Sequence, residues 1–237
     1  MQKQKLRLLA VSIASLTIIA GIAAYFSSSD MVTNSFEASA LRIRIQEPSW
    51  HDNPTIVPDQ QVDKDPYILN TDETPAYVFL LVTVPAQEVS VEDDQPDADK
   101  GKLLGDEPQN VPLFRFINSS GEYTADPFST EQCYNGGWYF MEMTPVTDDS
   151  GTVRDYTYLY AYTGDNQGNT MAVLNPGERT ATPLFNKVLF CNAREDDTLP
   201  GSRQTIGIEA LGIQTEHLRS SGQTETEAEI IWQYLKK

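Results

Sequence analysis

Over residues 153–163 the side chains alternate strictly, and Tyr156, Tyr158, Tyr160 and Tyr162 all fall on one face. A period of two excludes a helix, where those rings would scatter round the cylinder, and predicts a half-buried strand. Residues 147–151, Thr-Asp-Asp-Ser-Gly, carry the turn-forming side chains and the glycine that a chain reversal needs, so the strand is the second arm of a hairpin whose first arm is residues 138–143. The tyrosine stripe reads first as packing or as a subunit contact, because each ring lies well on a pleated surface and can keep its hydroxyl wet at an edge. A sugar-binding platform is the sharper alternative.

The rest of the chain repeats the theme. Leu41, Ile43 and Ile45 alternate with Arg42, Arg44 and Gln46 in a strand over residues 36–46. A proline-rich stretch, residues 47–65, is expected to be an extended loop tacked to the core by Ile56 and Val57. Residues 66–70 form a short strand, and residues 76–84, the most β-prone run of all, form a central one. Further strands are expected over 113–117, 170–174 and 184–191, with a tight turn at Asn175-Pro176-Gly177-Glu178. Residues 204–214 carry apolar side chains on both faces, which predicts an interior strand. The end differs in kind: Thr224-Glu225-Thr226-Glu227 reads as a capping box, and Ala228, Ile231, Trp232 and Leu235 follow at helical spacing, so a short amphipathic helix is expected over 224–236. The fold class is therefore all-β, an antiparallel sandwich closed by a short C-terminal helix.

Charge narrows the function. The chain carries a formal charge of -17. A nucleic-acid-binding surface must be basic, so that class is excluded. Much of the acidity falls in residues 87–110, an expected insertion holding Glu88, Glu92, Asp93, Asp94, Asp97, Asp99, Asp106 and Glu107 among Pro and Gly. Asp97-Ala98-Asp99 could bring carboxylates to one calcium ion, but the stretch is too short for an EF-hand loop, and a solvated mobile loop is the expectation. Cys133 and Cys191 are the only cysteines. They allow at most one internal disulfide, with two reduced thiols as the alternative, and no Cys-x-x-Cys or Cys-His zinc spacing exists. His51 and His217 are the only histidines, and neither lies in His-Glu-x-x-His. No nucleophile elbow, phosphate loop or dinucleotide fingerprint occurs, so neither an enzymatic activity nor a cofactor is expected. Asn118-Ser119-Ser120 is formally a glycosylation acceptor.

The first residues read as an address. Lys3, Lys5 and Arg7 precede a nearly uninterrupted apolar run, residues 8–24, which reads as an export signal; a retained membrane anchor is the competing reading. Gly21 and Ala23 occupy the small-residue places of a cut after Ala23, and Ala24 permits a cut one residue later. Residues 1–23 are then a signal peptide, 24–40 an extended N-terminal segment, and 41–237 the sandwich domain.

The junction Gly21-Ile22-Ala23-Ala24-Tyr25-Phe26-Ser27-Ser28-Ser29-Asp30, followed by Asn34-Ser35-Phe36-Glu37-Ala38-Ser39-Ala40-Leu41, resembles the TasA and camelysin family of exported bacterial proteins. Ile56-Val57-Pro58, Lys64-Asp65-Pro66-Tyr67-Ile68-Leu69-Asn70-Thr71 and Pro75-Ala76-Tyr77-Val78 look like the family's first core strands. Residues 208–214 and the Trp232 helix look like its closing elements, and residues 85–200 are largely uncovered. The resemblance implies a jelly-roll-like sandwich, a leader cut by a dedicated signal peptidase, and a surface or biofilm-matrix fibre built by donor-strand exchange, with sibling matrix proteins among its partners. The donor would be residues 24–40, with Tyr25, Phe26, Val32 and Phe36 as the assembly segment. Camelysin relatives have been described as metalloproteases, but this chain lacks the residues to carry that activity over. The expectation is a secreted, non-enzymatic structural protein that self-associates. The alternatives are a surface binding module for glycan or calcium, and a camelysin-like metalloprotease.

Overall fold

The computed structural model describes residues 41–50, 57–95, 99–166, 170–194, 204–215 and 225–235. Among the described residues, ten strands and one α-helix run in the order β1 (Ile43–Gln46), β2 (Gln61–Asp63), β3 (Tyr67–Asn70), β4 (Ala76–Val89), β5 (Gln109–Pro112), β6 (Phe114–Ile117), β7 (Trp138–Thr147), β8 (Val153–Tyr162), β9 (Lys187–Phe190), β10 (Gly207–Gln214) and α1 (Glu227–Leu235). All named pairings are antiparallel. The principal sheet has the order β10-β4-β8-β7, with β5 joined to the far end of β4; β2-β9-β6 and β1-β3 form the other two sheets. This is the expected all-β sandwich with its short helix.

The long run of branched and aromatic residues in β4 explains its place at the centre. Val78, Leu80, Val82 and Val84 are all 0% exposed. They meet Phe114, Phe116, Val188 and Phe190 from the β2-β9-β6 sheet, and Ile68 from β3, in one core onto which Leu41, Ile43 and Ile45 also pack. Residues 109–117 turn the corner between layers: β5 pairs with β4, Leu113 donates its N–H to the Pro85 carbonyl (2.8 Å), and β6 then pairs with β9. Phe116 stacks on Phe185 with centroids 4.2 Å apart, which fills that corner.

The hairpin is as expected. β7 and β8 pair from Trp138↔Tyr162 to Thr147↔Val153, and Asp148 closes the turn by accepting from the Ser150 and Thr152 N–H groups at 2.9 and 3.1 Å. Its neighbours Ser150, Arg154 and Thr152 hold the Asp148 carboxyl well below the usual range.

Four expectations need correction. The 204–214 segment is not interior: β10 is an end strand of its sheet and pairs only with β4 among the described residues. Its two apolar faces arise because Ile208 and Ala210 join the main core while Leu211 and Ile213 join a second cluster under α1. The stretch 47–65 contains β2, paired with β9, and Val57 is exposed rather than tacked to the core. No strand forms over 170–174; only an isolated bridge, Leu174↔Ala76, occurs there. The helix begins later than expected, with Thr226 as its cap: the Glu229 N–H donates to Thr226 Oγ1 (3.2 Å), and the Thr226 N–H donates to Glu229 Oε2 (2.7 Å). The capping box is thus Thr226-x-x-Glu229.

Ile231 and Trp232 of α1, each 6% exposed, cover the outer face of the principal sheet at Tyr77, Phe79 and Ala161. Trp232 meets Tyr139 edge-on with centroids 4.6 Å apart.

Candidate functional site

The tyrosine stripe is core. Tyr158, Tyr160 and Tyr162 are 1%, 0% and 6% exposed, and Tyr156 packs against the same core. Tyr158 abuts Phe116, Tyr160 lies between Tyr134 and Phe140, and Tyr162 meets Trp138. Burial pushes the Tyr158 hydroxyl up to about 12, opposed by the Gln132 side chain, and pushes Tyr160 well above its ordinary value. With its rings inside, this face has no sugar platform to offer.

The acidic stretch is less of a free loop than its composition suggests. β4 runs on to Val89 and β5 begins at Gln109, so the excursion from the sheet is residues 90–108. Glu92↔Leu103 bridges its two limbs, and Asp93 donates its N–H to the Lys102 carbonyl at 2.8 Å. Asp94, 6% exposed, forms an ion pair with Arg115, 1% exposed, on β6. The same guanidinium donates to the Thr124 carbonyl (3.0 Å) and lies 5.1 Å from the Tyr123 ring. Of the calcium candidates, Asp97 lies outside the described residues, and Asp99 is bound to Lys102. Among the described residues no group of His, Cys, Asp and Glu is placed to hold a metal ion.

Cys133 and Cys191 are both free thiols. They lie in different surroundings: Cys133 is half-buried near Tyr160, with its Sγ 4.0 Å from Thr124 Oγ1, whereas Cys191 is buried with Val89, Val91, Val111 and Ala193. Desolvation pushes the Cys191 thiol up to about 12, the Arg115 charge opposing and Asp94 adding to it. Asn118 is a turn-former: its Oδ1 accepts from Ser120 N–H (3.0 Å) and Glu122 N–H (2.9 Å), while its amide donates to Glu122 (2.8 Å). His51, His217, Ala23, Ala24 and the expected assembly residues Tyr25, Phe26, Val32 and Phe36 lie outside the described residues.

What remains as a site is a sheet edge. β7 and β10 each pair on one side only among the described residues. β7 carries a bulge between Phe140 and Glu142 and has Pro145, which lacks an N–H; both disfavour further pairing. β10, Gly-Ile-Glu-Ala-Leu-Gly-Ile-Gln, has no bulge, proline or lysine. Leu41, where the described chain begins, packs against β10 at Gly212, with Ile43 beside it. The β10 edge was not singled out in the sequence, where two-faced apolarity pointed to an interior strand. Compared with family models, with curated proteins and with solved structures, the chain gave no match.

Proposed function

We propose that this chain is a secreted, non-enzymatic structural subunit of a cell surface or extracellular matrix, and that it assembles into fibres by lending residues 24–40 of one copy to the β10 edge of the next. The carrying observation is the unguarded β10 edge beside the entry point of the chain at Leu41. An added strand satisfies a row of backbone donors and acceptors and extends the sheet, so affinity comes from main-chain hydrogen bonds and specificity from alternate side chains. Tyr25, Phe26, Val32 and Phe36 supply the apolar side chains of such a strand. The leader's resemblance to exported matrix proteins supports the same reading.

The test compares the chain started at Ala24 with the chain started at Leu41, each incubated and imaged by electron microscopy. The longer chain should form filaments and the shorter should stay monomeric, and a free peptide of residues 24–40 should bind the shorter chain without polymerising it and should block filament growth of the longer. Equal assembly of the two, or none in either, discards the donor-strand reading.

A further inference from the structure

The positive charges of this chain are not used evenly. Lys64, Lys100, Lys102, Arg115, Arg154 and Lys187 each sit against a carboxylate. Arg42, Arg44 and Arg179 are exposed and form no ion pair among the described residues.

The fold brings these three together. In β1 and its lead-in they alternate with or stand beside residues that pack on the core: Leu41, Ile43 and Ile45 face inward, so Arg42 and Arg44 take the outer face. Arg44 is paired with Leu69 of β3, and Leu69 is bridged on its other side to Arg179, so one row across the surface reads Arg44, Leu69, Arg179. Strand spacing puts the two arginine Cα atoms about 10 Å apart, with Arg42 about 7 Å from Arg44 along the chain. The Arg179 guanidinium lies 4.1 Å over the Tyr67 ring, a stacking that holds its planar fork in place. The neighbouring carboxylates are engaged with other donors. Asp72 accepts from the Arg42 and Glu73 N–H groups at 3.0 and 2.6 Å, and Glu178 accepts from the Asn175 N–H and side-chain amide at 3.0 and 2.9 Å. Glu73, exposed, is the other acid of the 71–74 turn.

Unpaired guanidinium groups gathered on one face of a chain of charge -17 are complementary to an anion. Screening over about 8 Å at 0.15 M salt keeps the surplus acids elsewhere from cancelling that local attraction. Geometry narrows the anion. Nucleic acid carries a charge every ~1.7 Å and takes a densely basic surface, whereas these cations are sparse. Peptides are captured at open strand edges or in grooves, whereas β3 has a neighbour on both sides and the arginines flank its face.

We propose that the outer face of β1 and β3 binds an acidic polysaccharide, a sugar polymer with one carboxylate per ring. Its carboxylates pair with the forks of Arg44 and Arg179, a ring lies on Leu69 between them, and Gln46 and Tyr67, paired in the next row, meet ring hydroxyls. The inference is independent of fibre assembly, since it uses neither residues 24–40 nor the β10 edge.

The experiment follows fluorescence anisotropy of a labelled hexamer of galacturonate as the chain started at Ala24 is added at about 0.15 M salt, with a neutral galactose hexamer and a hexaglutamate peptide as comparisons. The galacturonate should bind and the neutral hexamer should not. Arg44→Ala and Arg179→Ala should each weaken binding about fivefold or more, and Arg44→Lys, which keeps the charge and loses the fork, should fall between. Arg154→Ala, at the far hairpin turn, should change nothing. Absence of galacturonate binding, equal binding of the neutral hexamer, or full binding by the Arg44→Ala and Arg179→Ala variants overturns the proposal. Hexaglutamate binding as tight as galacturonate also overturns it, because the face would then serve an acidic protein.

Discussion

Gly212 faces Leu41 so closely that a Cβ on the glycine would overlap Leu41 Cδ2 and approach Ile43 Cδ1 to 3.3 Å. The glycine is there for close approach rather than for backbone freedom, and it lets the Leu41 and Ile43 side chains settle over β10. Gly212→Ala should therefore lower stability by about 1–3 kcal/mol, the usual cost of an overpacked core. Leu41→Ala opens space at the same spot, so the double variant should be more stable than the sum of the single losses implies. Urea denaturation of the three variants measures the coupling; strict additivity would mean the two residues do not share the space.

Tyr160 is 0% exposed and its hydroxyl has no hydrogen-bond partner among the described residues. Removing a buried, unsatisfied hydroxyl while keeping the ring costs nothing and can stabilise, so Tyr160→Phe should range from neutral to about 1 kcal/mol more stable. A loss above that range would show that the hydroxyl has a structural partner.

The same burial fixes the sign of an alkaline effect. Cys191 and Tyr158 are each raised to about 12 in the fold, against ordinary values of 9.0 and 10.0. Between those limits the unfolded chain releases protons that the folded chain keeps, so stability is complete below about pH 9 and falls as pH rises toward 12. The slope should be about 1.4 kcal/mol per pH unit for each group titrating only in the unfolded state. Denaturation midpoints at a series of pH values should show the fall beginning with Cys191 and steepening above pH 10; Cys191→Ala should remove the first part and leave the second.

Much of the sandwich could be read from the chain because its strands advertise their periods. The Tyr156 to Tyr162 alternation, the Asp148 turn and the centrality of β4 all follow from local pattern, and local pattern sets the pairing of a hairpin. Lateral position in a sheet does not. Leu211 and Ile213 look like marks of an interior strand because they are covered, but the cover is the α1 helix, which comes from the far end of the chain. The buried Asp94–Arg115 pair was hidden for a related reason: Asp94 is one carboxylate among many, and its selection depends on Arg115, which alternates with the core residues Phe114 and Phe116 along β6. A cation flanked by two phenylalanines in a strand was the available signal, since a buried arginine requires an anion.

Trp232 anchors α1 on the outer face of the principal sheet, so Trp232→Ala should cost about 3–5 kcal/mol. Thr226→Ala, which removes only the cap, should cost about 1 kcal/mol. Thr226→Asp should restore most of that, because an aspartate can accept from the same N–H. Denaturation monitored by circular dichroism gives all three values, and an order other than Trp232→Ala worst and Thr226→Asp mildest would contradict the described packing of the helix.

The charge also bears on the proposed assembly. Loss of residues 1–23 removes Lys3, Lys5 and Arg7 and takes the formal charge from -17 to -20, so copies repel before any strand is exchanged. Screening acts over about 30 Å at 0.01 M salt and about 8 Å at 0.15 M. Filaments of the chain started at Ala24 should therefore form faster as sodium chloride rises through that range, with the chain started at Leu41 unaffected because it has no strand to lend. Light scattering against salt measures the rates, and a rate that falls with added salt would mean that attraction between opposite charges, rather than strand addition against a uniform repulsion, drives the association.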